Sequence, residues 1–161
     1  MISTPQRESR PIGGGLLFVL ICLAAWALFT AFVVREPLKL MLEWELLAVF
    51  IRHETHGWYR TVLTMVGLDV IVSVFVVAGA GWLALLVSRK SARFRTQVQA
   101  WLLMILLMRT GAFLVGAYMT GAIGIDIAVP LDGLAQAAVA AALGIPYFRW
   151  SRRVQQTFID A

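Results

Sequence analysis

The sequence is poor in the residues from which most catalytic and metal sites are built. It has a single cysteine, Cys22, and two histidines, His53 and His56. One thiol excludes an intramolecular disulfide and a cysteine-built zinc or iron–sulfur site. Cys22 sits inside an apolar run, where a small hydrophobe packs well. No pair of histidines lies within the apolar segments, so a haem held by two histidines is excluded as well. There is no nucleophile elbow, no phosphate-cradling glycine loop and no haem-attachment motif, and Ser73 has no histidine in its own segment. Nothing in the chain argues for an enzyme or implies a cofactor.

Charge is scarce too. Charged residues make up 14% and hydrophobic residues 60%, against about 25% and roughly 45–50% in soluble domains. A water-soluble fold of 161 residues with this composition would expose large apolar patches; a bilayer removes the difficulty. The net charge of +5 does not point to nucleic acid, because the basic residues gather at the ends of apolar runs and are not interleaved with aromatics along one face.

Four apolar runs follow. Ile12 to Val34 is 23 residues without a charge, about 34 Å of helix against a hydrocarbon core of about 30 Å. It ends in Phe32-Val33-Val34-Arg35 with no small-residue cleavage site, so it reads as an uncleaved anchor. Thr61 to Val87 contains one charge, Asp69, and Val98 to Ile123 contains one, Arg109. The fourth, Leu131 to Phe148, is alanine-rich and weak as an isolated span. It still begins like a helix, with Pro130 at the start and Asp132 in the first turn, where a carboxylate complements the helix dipole. The expected fold is therefore all-α, a single domain over residues 1–161 forming a four-helix membrane bundle.

Basic residues set the expected direction. Arg7, Arg10, Arg89, Lys90, Arg93, Arg95, Arg149, Arg152 and Arg153 share one side, nine in number, against Arg35, Lys39, Arg52 and Arg60 on the other. The positive-inside rule puts the first side, and both termini, in the cytoplasm. The one long connection, residues 37–60, is apolar but interrupted by Glu43 and Glu45. About 15 residues after Pro37 make only about 22 Å of helix, so this segment is expected to lie in the outer interface with Trp44 and Trp58 at headgroup level. A fifth, tilted span is the rival, and it would break the charge pattern.

Asp69 and Arg109 are the ionisable groups well inside the runs, and such groups are functional candidates by default because they are costly in lipid. Counted from the basic ends at 1.5 Å per residue, Arg109 lies about 21 Å up (from Arg95), Asp69 about 30 Å (from Arg89), Asp132 about 24 Å and Gln136 about 18 Å (both from Phe148). Side-chain length covers these differences. Arg109 is expected to meet Asp69, Asp132 or both, with Gln136 nearby, either as a structural ion pair or as a polar pocket for a lipid headgroup, a quinone or a proton. His53-Glu54-Thr55-His56 has histidines three apart with no third, so it falls short of a metalloprotease helix and offers only a weak metal contact. Small residues recur at four-residue spacing, as Gly133, Ala137 and Ala141, and as Ala112 and Gly116, a pattern that lets membrane helices approach closely.

The ends of the chain carry a resemblance. Pro11-Ile12-Gly13-Gly14-Gly15-Leu16-Leu17 opens the first run. The chain closes with Pro146, Tyr147, Phe148, Arg149, Trp150, Ser151, Arg152, Arg153, Val154, Gln155, Gln156, Thr157 and Phe158. This resembles the YdgK-like family of small bacterial inner-membrane proteins of unknown function, with Gly15 where that family usually has tryptophan and Gln155 where it often has lysine. The resemblance implies four spans in a bacterial inner membrane and no established activity. Read physically, Tyr147, Phe148 and Trp150 would form an aromatic collar at the inner interface, and Arg149, Arg152 and Arg153 would sit beside anionic headgroups. The sequence points first to a non-catalytic accessory or interaction protein, contacting membrane lipids and either a larger membrane complex or its own copies. The alternative is a small transporter or a lipid- or quinone-binding protein built around the polar centre.

Overall fold

A computed structural model describes residues 14–52, 58–124 and 131–151. All of its described elements are α-helices: α1 (Gly14–Leu42), α2 (Trp44–Arg52), α3 (Trp58–Ser88), α4 (Arg93–Ile123) and α5 (Asp132–Trp150). Three of them are long and apolar enough to cross a membrane, over Leu16–Leu42, Arg60–Ser88 and Arg93–Ala122. Large apolar side chains such as Leu28, Phe32, Leu114 and Leu143 point outward, the arrangement a lipid solvent favours and water penalises. The protein is thus an all-helical membrane protein. Helix α5 has 19 residues, about 28 Å, and is not among the three; its polar first turns, with Asp132 and Gln136, lower its apolar content.

The first helix departs from expectation. It does not stop at Val34 but continues through Pro37 to Leu42. Pro37 removes one backbone bond, to the carbonyl of Val33, but Leu38-Lys39-Leu40-Met41-Leu42 are strong helix formers and carry the helix on. The connecting segment 37–60 is accordingly not one helix: its described residues comprise the end of α1, the nine-residue α2 and the first turn of α3. Glu43 marks the break, yet its amide still donates to Lys39 O at 3.1 Å and its carbonyl accepts from Leu47 N at 3.2 Å. Glu36 and Lys39 pair at 3.2 Å on the exposed surface, where such a pair contributes little. The expected placement of the Trp44 and Trp58 side chains lies outside the described structure.

Helix α3 ends in a Schellman motif. Ser91 N donates to Leu86 O at 3.1 Å and Lys90 N to Val87 O at 3.0 Å, with Lys90 left-handed at φ 49. This turn sends α4 back along α3, and α4 starts at Arg93, five residues before the apolar run. Its far end is closed by Gly124, also left-handed, at φ 68.

Helix α4 is central. Its stripe Phe94, Val98, Leu102 and Ile105 is fully buried and meets Val72, Val76, Leu83 and Leu86 of α3 and Ala137 and Phe148 of α5. Two glycines set the helix spacing. A Cβ on Gly144 would lie 2.6 Å from Leu102 Cδ1, and one on Gly79 would lie 2.0 Å from Trp101 Nε1. The Trp101 indole lies over Gly79 and meets Trp26 of α1 edge-on, with ring centroids 5.9 Å apart. Its buried N–H has no partner among the described residues, a cost of about 1–3 kcal/mol that close packing has to offset. Helices pack α1 on α3, α3 on α4 and α4 on α5, so α1 and α5 stand at the two ends of the series.

Phe148 corrects the collar reading. It is 0% exposed and packs edge-on against Phe94 at 5.8 Å and Tyr147 at 5.4 Å, whereas Trp150 is 72% exposed. Positions 148 and 150 lie about 200° apart around a helix of 3.6 residues per turn, so one turns inward when the other turns out. Pro146 lies inside α5, and Ser151 caps it, donating its N–H to Tyr147 O at 3.0 Å. Arg152, Arg153, Val154, Thr157 and Phe158 lie outside the described residues, as do His53 and His56. Among the described residues no group of three or more metal-binding side chains exists.

Candidate functional site

The polar centre assembles from four helices. On α4, Arg109 lies 16 residues, about 24 Å, from the start of the helix at Arg93. Its Nη1 donates to Asp69 Oδ1 of α3, and its Nη2 reaches Ser73 Oγ at 3.4 Å. Asp69 and Ser73 are four apart on α3 and so share a face. Ser73 is buried beside Val72 and Val76, and α3 presents its two polar groups to α4 along that edge. The ion pair is asymmetric: the Arg109 side chain is 17% exposed and that of Asp69 48%.

Helix α5 closes over the arginine at Gly133. A Cβ there would stand 3.1 Å from Arg109 Cζ and Nη1, so the guanidinium lies against bare backbone. One residue earlier, Asp132 faces the same cavity from the first turn of α5, but makes no ion pair with Arg109. Gln136, one turn on, accepts a hydrogen bond from Trp26 Nε1 of α1 at 3.4 Å. Thr30 of α1 bonds back to the Trp26 carbonyl at 2.9 Å.

These groups line one chamber of about 410 Å³, walled by Thr30 and Phe29 of α1, Asp69 and Ser73 of α3, Arg109 and Phe113 of α4, and Asp132, Gly133 and Gln136 of α5. All four sequence candidates, Asp69, Arg109, Asp132 and Gln136, therefore border one space. The open question of which acid Arg109 meets is answered: it is Asp69. Ser73 is a partner not foreseen from the sequence, where it reads only as a nucleophile without a histidine; its spacing of four from Asp69 is the signal that points to it. Gly133 carries the signal of the small-residue stripe, which allows the close approach seen here; Trp26 carries no comparable signal.

A second space adjoins the first, sharing Gln136 as a wall. Between α1 and α5 runs an apolar groove of about 760 Å³, bounded by Phe18, Cys22 and Trp26 on one side and Val139, Leu143 and Tyr147 on the other. Gln136 borders both spaces, and the Trp26–Gln136 hydrogen bond stands at their junction. Among the α1 residues bordering groove and chamber, Phe18, Cys22, Trp26, Phe29 and Val33 recur every three or four positions, with Val19, Leu23 and Thr30 beside them, and mark one helix face. From Asp132 to Tyr147 the cleft follows α5 for about 22 Å.

The class this defines is an all-helical membrane protein with a charged chamber beside an apolar interhelical groove. The chain belongs to the DUF2569 family, described as proteins of unknown function, whose family pattern matches residues 9–159. No curated protein and no solved structure matches it.

Proposed function

We propose that this protein is a non-catalytic membrane protein that holds an amphiphile, with the polar end in the Arg109 chamber and the apolar part along the α1–α5 groove. The carrying observation is that a charged chamber and an apolar groove lie side by side along α5 and share Gln136 as a wall. A lipid or a quinone has that division of polarity. Binding sites of several hundred Å³ lined by apolar walls with a few convergent polar groups are the usual form of a small-molecule site. The reading as an accessory subunit has less support, because Ala137 and Ala141 of the α5 small-residue stripe, and Gly144 beyond them, are buried within the bundle and not presented to a partner.

In this reading α5 is a fourth span, inserted with help from α4, and the protein lies in a bacterial inner membrane with both termini cytoplasmic and α2 at the outer interface. The asymmetry of nine basic residues against four supports that direction. With Cys22 replaced by alanine, Ser91→Cys and Gln156→Cys should react with an impermeant thiol reagent only from the cytoplasmic side, and Glu54→Cys only from outside. Labelling of Gln156→Cys from outside would instead favour an odd number of spans.

Native mass spectrometry of the full chain, released from mild detergent, tests the amphiphile. One bound lipid or quinone per chain is expected. Val139→Trp, which places bulk in the groove from an exposed position, should abolish retention; Leu114→Trp on the outward face of α4 should not. Equal retention by both variants sinks the proposal.

A further inference from the structure

Resting on that amphiphile reading, we infer that the chamber selects a headgroup bearing a positively charged amine. Among the described residues, three ionisable side chains face it: Asp69 from α3, Arg109 from α4 and Asp132 from α5; the described residues of α1 at the chamber are Phe29, Thr30 and Val33. Two carboxylates against one guanidinium give these described residues one negative charge in excess.

The placement of the two acids makes the excess available. Asp69 is engaged by Arg109, yet its carboxylate is half open to the chamber. Asp132 borders the chamber, is exposed, and has no ion pair with the arginine. A headgroup with net negative charge would add to the excess already present from Asp69 and Asp132. An ammonium placed between Asp132 and the free face of Asp69 gains charge-assisted hydrogen bonds, in a setting where low surrounding polarity strengthens them. A zwitterion carrying amine and phosphate fits as well, since Arg109 has five N–H donors and only two are engaged by Asp69 and Ser73. The Gln136 amide also borders the chamber as a further polar contact. The apolar groove then takes the chain, which fixes the headgroup at the chamber end.

The test is competition between phosphatidylethanolamine and phosphatidylglycerol of identical acyl chains, added to the delipidated full-length protein and read by native mass spectrometry. Wild type should retain the ethanolamine lipid in preference by about tenfold, the scale of one charge-assisted hydrogen bond. Asp132→Asn should bring the ratio close to one while the protein keeps its thermal stability, since that side chain is exposed. Equal retention of the two lipids by wild type, or an unchanged preference in Asp132→Asn, overturns the headgroup inference and leaves the cleft reading in place. Retention of neither lipid overturns the headgroup inference and the lipid form of the cleft reading, leaving only its quinone form.

Discussion

Replacing Arg109 by leucine should destabilise the bundle by about 3 kcal/mol, the lower end of the roughly 3–5 kcal/mol typical when one partner of a buried pair is removed. The lower end is expected because the Asp69 carboxylate that would be stranded is half open to the chamber. The penalty comes mainly from that carboxylate, left without its guanidinium, and from Ser73, whose buried hydroxyl loses its contact with Nη2. The double variant Arg109→Leu with Asp69→Leu should recover much of the loss, because a pair of apolar residues leaves no charge stranded. Arg109→Leu with Asp132→Asn should recover none, since Asp132 makes no ion pair with the arginine. Thermal unfolding of all four proteins in one detergent measures these differences. No effect of Arg109→Leu, or recovery through Asp132, would contradict the Asp69 pairing.

The second large effect is expected at the end of α5. Phe148→Ala should cost about 2–3 kcal/mol, while Trp150→Ala, two residues on, should cost less than about 0.5 kcal/mol. Phe148 is enclosed by Phe94 and Tyr147 and holds α5 against the start of α4; Trp150 projects outward. The figure for Phe148 lies below the 3–5 kcal/mol found for such truncations in water. In a lipid solvent the transfer contribution largely cancels, and what remains is the lost packing around the cavity. Because α5 also carries Asp132, Gly133 and Gln136, Phe148→Ala should loosen the chamber from a distance of about 24 Å along the helix. A cost at Trp150 equal to that at Phe148, in the same unfolding assay, would mean that the aromatic pair acts as a collar after all.

Composition and apolar runs alone carried the membrane class, the all-helical fold and the bounds of α3 to within a few residues. Lipid imposes two requirements that leave direct traces in a sequence: backbone hydrogen bonds satisfied within a segment, and side chains apolar over its whole length. Counting residues from the basic ends also put Asp69, Arg109, Asp132 and Gln136 at overlapping heights, because rise per residue is constant along a helix. Where the first helix stops was less legible. Pro37 and Arg35 both argue for an end at Val34, and the helix formers after them prevail.

Height is one coordinate; the angle of each helix about its axis is another, and only the tertiary structure decided it. Which acid meets Arg109, whether Phe148 faces in or out, and whether α1 and α5 close on each other all depend on that angle. It is set by contacts between residues far apart in the chain: the Trp101 indole over Gly79, Leu102 against Gly144, and the guanidinium of Arg109 against Gly133. An almost uniformly apolar helix has no polar face to announce its orientation in lipid, so its rotation is determined by packing, and packing is a property of pairs of surfaces that no single segment contains.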